Sequence, residues 1–579
     1  MNKQQKLKTC LQENHYIIPS YQSYGGLSGY QDYGILGTRV KSKFIELWKN
    51  EFINDNSDTI VEIETPNVMP YDTLKASGHV DRFTDYIVND SNGVCHRADH
   101  LVKKWFRENK MDSMADTVDA MSLSELETHI NKYKMLPSKT DIKHTVERKN
   151  LMFEVPSTTN SNGIDFLRPE QAQGIFVNFK SCQQFLQKEP PFGIAQVGKS
   201  YRKEISPQQY TRMREFYQAE IEYFVDPLNK THNNFDKYKD ICIPLMTSDM
   251  QMNNITTVNM ISIEEAVNKK MISHKLMAYF LAKIYLFGLK IGLHKDKIRF
   301  RQHLPHEMSH YASECWDLET YVNGDWLECV GCADRGDYDL QCHSKSSNVK
   351  FTAKRMFETP KINITYKAKP DMKKIGNKHK EDAAKIAQYC NNFSQEELRD
   401  FKGSEAWEII YCINGKDYSI NSDICQIIEE KKTITHEEYT PHVLEPSFGV
   451  DRILYSIFEQ NFWARENDEQ RIVLSLPYVL VPYDVAVFAL SKHETLTPKV
   501  TEIKNILSSN GFKCYMDNSN TNIGKRYSRV DEMGLKFVVT IDFDTLTDNK
   551  VTIRERDSTN QIRVEINSLS KEITNLSNT

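Results

Sequence analysis

The stretch Val197-Gly-Lys-Ser-Tyr-Arg-Lys-Glu-Ile-Ser-Pro, followed after a polar turn by Met213-Arg-Glu-Phe-Tyr-Gln-Ala-Glu-Ile-Glu-Tyr, constrains the fold more than any other part of the chain. Polar and apolar residues alternate with a period of two, and Ser206-Pro207 with the Gln-Gln-Tyr after it marks a loop. The economical reading is two antiparallel strands. Arg202 and Glu204 then share a face. On the returning strand Phe216, Gln218, Glu220 and Glu222 line one face, while Tyr217, Ala219, Ile221 and Tyr223 pack the other against a core. A sheet face carrying an arginine and several carboxylates has two outcomes. Either it is a surface hairpin in water, or it meets a bound ligand, because unpaired buried charge is costly.

The length of 579 residues, with 39% hydrophobic and 26% charged, predicts a sizeable core and two to four domains. No apolar run approaches the roughly 20 residues of a membrane span, and Met1 to Leu11 has basic residues without an apolar signal core. The twelve cysteines are scattered, as expected of reduced thiols in a soluble cytoplasmic protein. A net charge of −5 gives no overall nucleic-acid signal, so an RNA partner would need local basic patches.

The run Arg202-x-Glu204, loop, Arg214-Glu-Phe216 resembles motif 2 of class II aminoacyl-tRNA synthetases, and its flanks resemble the homodimeric glycyl enzymes of eukaryotic and archaeal type. Other segments extend the resemblance over nearly the whole chain. Tyr24-Gly-Gly-Leu-Ser-Gly-Tyr resembles the first segment of the glycyl enzymes. A helix predicted over Val40 to Phe52 and a strand over Val61 to Met69 carrying Pro66 resemble motif 1, the dimerisation element. Leu74-Lys-Ala-Ser-Gly-His-Val-Asp-Arg-Phe and Arg97-Ala-Asp-His100 continue the match, and Glu445-Pro-Ser-Phe-Gly-Val-Asp-Arg452 resembles motif 3. For motif 3 the pattern predicts a strand over His442 to Glu445, Ser447 as helix N-cap, and a buried stripe of Val450, Ile453, Leu454, Ile457 and Phe458. From about residue 472 strands and helices alternate, resembling the anticodon-binding module shared by the glycyl, histidyl, prolyl and threonyl enzymes.

The expected fold is therefore α+β. A class II antiparallel catalytic domain, flanked by helices, occupies 1–104, 151–342 and 439–471. A mostly helical insertion occupies 105–150, a lysine- and asparagine-rich one 343–438, and an α/β anticodon-binding domain 472–579. No extra helical appendage is expected ahead of the catalytic domain.

Adenylate formation asks the protein mainly for positioning and charge stabilisation, and a planar, permanently charged guanidinium suits phosphate and carboxylate oxygens. The resemblance implies that Arg202 holds the α-phosphate and the incoming carboxylate, with Arg452 on the γ-phosphate. It further implies adenine contacts from Glu204 and Phe216, and ATP contacts from Lys203, Arg212, Met213, Glu328 and Cys329. Glu328 and Glu445 would coordinate magnesium brought with ATP. Arg97, Glu170, Glu220, Glu445 and Ser447 would bind glycine, selected by a tight wall that leaves no room for a methyl group. Arg554, Arg556 and Asp557 are candidate readers of anticodon bases. The implied reaction attaches glycine to tRNA(Gly) through glycyl-adenylate, in a homodimer joined at motif 1, with diadenosine tetraphosphate as a side product.

Taken singly, each residue has a plainer reading: an arginine on a solvated helix flank, or an acid such as Glu170 favouring a helix start after Pro169. Three readings compete with the whole. His306-Glu-Met-Ser-His310 fits the zinc-protease pattern H-E-x-x-H. Cys329-x-x-Cys332 with Cys342-His343 mimics a zinc set, but strand alternation would send Cys329 and Cys332 to opposite faces, so buried thiols and no structural zinc are expected. A synthetase-like accessory protein without catalysis is the third, opposed by the presence of Arg202, Glu204, Glu328, Glu445 and Arg452. Departures from the family pattern are the short, glycine-free loop between Pro207 and Arg214, Gly336 after Arg335, and Asp451 before Arg452.

Overall fold

A computed structural model describes residues 2–578 apart from 57–58, 116, 119–120, 137–143, 159, 310–311, 405 and 467. It divides into two compact units, one of Met1–Phe351 with Thr440–Thr579 and the other Thr352–Tyr439. Among the described residues no helix is long and apolar enough to cross a membrane.

The first unit is built on a nine-stranded sheet. In chain order its strands are β1 (Ile60–Glu62), β2 (Phe192–Tyr201), β3 (Glu215–Val225), β4 (Cys242–Met246), β5 (Asn259–Ser262), β6 (Ile298–Gln302), β7 (Glu314–Val322), β8 (Asp325–Gly336) and β9 (His442–Gly449). They lie in the order β5-β4-β6-β7-β8-β9-β3-β2-β1. All neighbours are antiparallel except the parallel pairs β1 with β2 and β4 with β6. Alternation places Ala219, Ile221 and Tyr223 of β3 and Phe448 of β9 in one large core. That face is covered by α1 (Ile35–Phe52), α2 (Lys275–Lys290) and α3 (Val450–Gln460). Leu36, Val40, Phe44, Trp48 and Phe52 recur every fourth residue along α1 and are all buried. Trp48 and Phe52 meet Phe448 edge-on at ring-centroid distances of 5.7 and 4.9 Å. Burying each such side chain contributes about 1.5–3 kcal/mol. The opposite face of β3 and β9 is left for polar residues.

Several local expectations are corrected. The hairpin pairs from Phe192↔Phe224 to Tyr201↔Glu215, so Arg202 and Glu204 lie just beyond the strand rather than on it. The amide of Arg202 still donates to Arg214 O at 2.9 Å, but that of Glu204 folds back onto Arg202 O at 2.7 Å. The single strand expected over Val61 to Met69 is two, β1 and Val68–Met69, in different sheets, with Pro66 in the break between them. Ser447 is not a helix cap. It sits inside β9, paired with Glu220 of β3, and Gly449 precedes α3. The apolar stripe of α3 is buried as the periodicity predicts. Cys329 occupies a bulge of β8, opposite the step from Leu318 to Glu319, and the shifted parity brings both Cys329 and Cys332 into the same core. All twelve cysteines are free.

The expected boundary at residue 105 falls inside helix Ala98–Glu108. The strand Val146–Asn150 pairs with Thr84–Asn89, and one cluster joins Val88, Val102, Phe106, Leu126, Ile130 and Val146. A packed module with its own strands therefore begins near Thr84. Helix Tyr338–Ser347 buries Leu340 and His343 within the first unit. The second unit is a long ribbon, Ala353–Pro370 against Cys425–Tyr439, with a hairpin and three short helices around Ile386, Leu398 and Ile420.

The C-terminal module has a five-stranded sheet made of β10 (Val485–Ala489), β11 (Cys514–Met516), β12 (Phe537–Ile541), β13 (Lys550–Glu555) and β14 (Gln561–Glu565), ordered β11-β10-β12-β13-β14. It is seated on the rest of the first unit by polar contacts. Tyr16 Oη donates to Met533 O at 2.8 Å, and Arg465 Nη2 lies 2.8 Å from Asp531 Oδ2.

Candidate functional site

The polar face of β3, β8 and β9 forms the floor of a cavity of about 250 Å³. Its lining includes Glu170, Arg202, Glu204, Arg212, Met213, Phe216, Glu220, Glu328, Cys329, Glu445, Ser447 and Arg452. Most residues predicted from the motifs are thus brought together from segments more than two hundred residues apart.

One end is basic. The Arg202 guanidinium carbon lies 5.4 Å from the ring centroid of Phe216 and equally far from that of Phe83, and Arg202 Nε donates to Pro169 O at 3.2 Å. Arg452 Nε donates to Thr211 O at 2.8 Å, which ties α3 to the turn between β2 and β3, and its Nη1 lies 3.7 Å from Glu328 Oε1. Buried Arg212 Nη1 has no hydrogen-bond partner among the described residues. An arginine nitrogen in that state can be satisfied by an anionic oxygen. The turn itself is tight: Gln208 and Arg212 exchange backbone hydrogen bonds of 2.9 Å, and Tyr210 takes a φ of 71° where a glycine would be at ease. Tyr210 stacks on Tyr455 of α3, centroids 4.7 Å apart and rings 11° from parallel. Below it, Asp451 accepts hydrogen bonds from Tyr33 Oη and from Tyr217 N.

The other end is acidic and buried. Glu220 accepts from Gln171 N at 2.8 Å and from Ser447 Oγ at 2.7 Å. Glu445 accepts from Arg335 Nη1 at 2.9 Å, and Arg335 also holds Asp339 through two bonds of 2.8 and 3.0 Å. Glu222 is fully buried, and neither of its carboxyl oxygens has a partner among the described residues. Burial, reinforced by neighbouring Glu445, raises the Glu222 carboxyl well above its ordinary range. Burial together with Glu220 and Glu170 pushes Glu445 up to about 8, against the lowering effect of Arg335. Glu220 is raised by burial and Glu170 despite its two donors. Glu170 behaves oppositely: burial would raise it, but His79, Arg335 and Gln173 hold it well below the usual carboxylate range. This end is thus short of positive charge and suited to receive an ammonium group.

Four predictions are corrected here. Lys203 points away from the cavity, into a separate exposed depression beside Lys149 and Phe153, because its amide is drawn to Leu151 O. Arg97 does not line the cavity. Its guanidinium lies 3.3 Å from Asp85 and donates to Asp99, so it buttresses the rim. Glu328 is not in the carboxylate group that holds Glu445 among the described residues. Glu445 lies with Glu220 and Glu222, their carboxylate oxygens within 4.8 Å of one another, while Glu328 lies by Arg452 at the mouth. Arg554 and Arg556 are each only 2% exposed. Arg554 grips buried Asp531 at 2.7 and 3.0 Å, and Arg556 donates to Leu476 O, Gly534 O and Asp557. Asp557 accepts from Arg556 and from Ser475 Oγ with its side chain 41% exposed, so the two buried arginines, and not Asp557, are withdrawn from base contact.

Of the competing zinc readings, His310 lies outside the described residues, so the H-E-x-x-H pair has no described geometry. Cys329 Sγ contacts Thr320 and Ser456 hydroxyls in the core. The sequence missed Arg335, His79 and Phe83, which act across the fold. The available signal for Arg335 was a charged residue on a strand whose alternate positions are core.

A family model described as an anticodon binding domain matches residues 484–576. The glycine–tRNA ligase of Methanocaldococcus jannaschii is 41% identical over 98% of this chain and 97% of its own length. Glycine–tRNA ligase 2 of Saccharomyces cerevisiae is 38% identical over 96% of this chain and 93% of its own. Among solved structures, the prolyl-tRNA synthetase of Giardia lamblia in complex with prolyl-adenylate superposes with a TM-score of 0.53 at 12% identity, covering 99% of this chain and 79% of that one, a likeness of fold.

Proposed function

The chain belongs to the glycine–tRNA ligase family of aminoacyl-tRNA synthetases, and from that premise we propose that the cavity makes glycyl-adenylate from glycine and ATP and passes glycine to tRNA(Gly). The observation that carries this reading is the division of one cavity into a basic end with an unpartnered arginine nitrogen and a buried acidic end.

In this reading the glycine ammonium lies between Glu170 and Glu220, with Ser447 fixing Glu220 by its hydroxyl. Arg202 takes the α-phosphate and the incoming carboxylate, so that nucleophile and phosphorus meet on one guanidinium. Phe216 stacks on adenine and Glu204 accepts from its amino group. Arg212 and Arg452 take the outer phosphates, offsetting charge that pyrophosphate carries away. Magnesium brought with ATP would shield its oxygens, and Glu328, its side chain 56% exposed beside Arg452, would hold it. Glycine would be selected by exclusion, through a wall that leaves no room for a β-carbon. The same adenylate would yield diadenosine tetraphosphate if a second ATP took the place of tRNA.

The C-terminal module would hold unpaired anticodon bases. A homodimer through the motif 1 region is part of the proposal, supported by Ile35 at 65% and Val68 at 43% exposure in that segment. The cytoplasm is its compartment, in keeping with twelve free cysteines. Glycine-dependent ATP–pyrophosphate exchange, with alanine and serine as controls, tests the whole. Exchange supported equally by alanine would refute it.

A further inference from the structure

The segment Leu74-Lys-Ala-Ser-Gly-His-Val-Asp-Arg-Phe has no task in the scheme above, yet it ends against the acid that the ammonium would meet. Helix Tyr71–Ala76 stops at Ser77, Gly78 turns the chain with a φ of 88°, and helix His79–Arg82 begins at once. A side chain at position 78 would be strained there. The turn sets Ser77 Oγ 2.8 Å from His79 Nδ1, with both residues buried. Ser77 Oγ also lies 3.2 Å from Leu74 O. The contact at Nδ1 fixes the plane of the imidazole. The opposite edge of the ring, at Nε2, lies 3.5 Å from Glu170 Oε2, so the hydrogen that faces the carboxylate is the one on Nε2. The other carboxylate oxygen, Oε1, accepts from Gln173 Nε2 at 2.9 Å, and Gln173 is in turn held by His343 at 2.8 Å.

We propose that His79 is a positioning residue for glycine activation: fixed by Ser77, its imidazole orients the Glu170 carboxylate toward the ammonium of the amino acid. The inference rests on the role given to Glu170 above. Glu170 leaves the chain on an irregular segment just before helix Ala172–Val177, so its side-chain torsions are set by what touches its two oxygens. Gln173 fixes one oxygen and His79 the other. Without the ring, the carboxylate is held on its Oε1 side alone, by Gln173 and by the Arg335 guanidinium 3.9 Å away, and can swing about that oxygen. Such a loss falls on amino-acid binding and leaves the nucleotide end unaffected.

The test is the steady-state kinetics of pyrophosphate exchange in the full chain for His79→Leu, His79→Gln, Ser77→Ala, Glu170→Gln and the double variant His79→Leu with Glu170→Gln. A glutamine can place its amide nitrogen near the position of the imidazole Nε2. His79→Leu is expected to raise KM for glycine about tenfold while KM for ATP stays within about twofold, and His79→Gln to recover most of that loss. Ser77→Ala is expected to raise KM for glycine about threefold, and the double variant to be no worse than Glu170→Gln alone. If Glu170→Gln leaves KM for glycine unchanged, the assigned role of Glu170 itself fails. If Glu170→Gln raises it and the His79 and Ser77 variants do not, or if they raise KM for glycine and ATP alike, the positioning role is overturned. Should His79→Leu fail to fold, Ser77→Ala decides alone: an unchanged KM for glycine refutes the proposal.

Discussion

Replacing Arg554 by leucine separates a structural role from a tRNA-reading one. The residue is 2% exposed, its partner Asp531 is fully buried, and two hydrogen bonds of 2.7 and 3.0 Å join them. Removing one member of such a pair strands the other charge, which costs about 3–5 kcal/mol. Asp531 keeps one further contact, Arg465 Nη2 at 2.8 Å, so the lower end, about 3 kcal/mol, is expected. At about 1.4 kcal/mol per factor of ten, amides of Phe537–Ile541 that exchange through opening of the module should lose on the order of a hundredfold in protection. Hydrogen exchange read by mass spectrometry on the full chain measures this locally. Glycine-dependent pyrophosphate exchange should be unaffected under folding conditions. Converting Asp531 to leucine as well removes the stranded charge and should restore most of the protection. Unchanged protection in Arg554→Leu, combined with weaker tRNA binding, would refute the structural assignment.

Glu220→Gln should lower glycine-dependent exchange by about tenfold or more with the fold intact, since it removes the charge that Ser447 and Gln171 hold in place; wild-type kinetics would remove Glu220 from the glycine site. Because Glu445 is pushed up to about 8, its carboxyl is protonated in the fold at neutral pH and ionised in the unfolded chain. Its contribution therefore makes stability fall as pH rises from the ordinary carboxylate range toward 8, and Glu445→Gln should flatten that slope in denaturant titrations. The same ionisation adds negative charge beside the ammonium, so KM for glycine should fall as pH rises through about 8 in exchange assays, and a KM independent of pH contradicts it. Phe543, 48% exposed just beyond β12 with His493 against its ring at 5.3 Å, offers a stacking surface. Phe543→Ala should raise KM for tRNA about fivefold or more, on stacking worth about 1–3 kcal/mol per base, with pyrophosphate exchange unchanged; equal KM for tRNA would exclude a base there.

What the sequence made legible was periodic. The alternating faces of β3 and the stripe of α3 could be read directly, because strand and helix repeats fix which residues share a face. What it hid depended on partners far along the chain. Arg554 and Arg556 read as candidate base readers because nothing local announces that Asp531, on helix Ile523–Glu532, takes the first and the carbonyls of Leu476 and Gly534 the second. Ser447 had the local look of a helix cap, but pairing with β3 carried the strand four residues further, to Gly449. The bulge at Cys329 reversed the face of one cysteine, which no two-residue repeat can foresee. Arg335 and His79 acquire their meaning only where Glu445 and Glu170 meet them.

The turn between β2 and β3 is short, lacks glycine, and is held by Tyr210 stacked on Tyr455 and by Arg452 on Thr211 O. A glycine-rich turn at this place would sample many conformations in the free enzyme, and substrate would have to select one at each turnover. Here a tyrosine accepts an uncommon backbone angle and is locked by its ring, so the ordering takes place during folding. Arg212 therefore stands in a cradle already shaped before ATP arrives, and binding has less disorder left to remove.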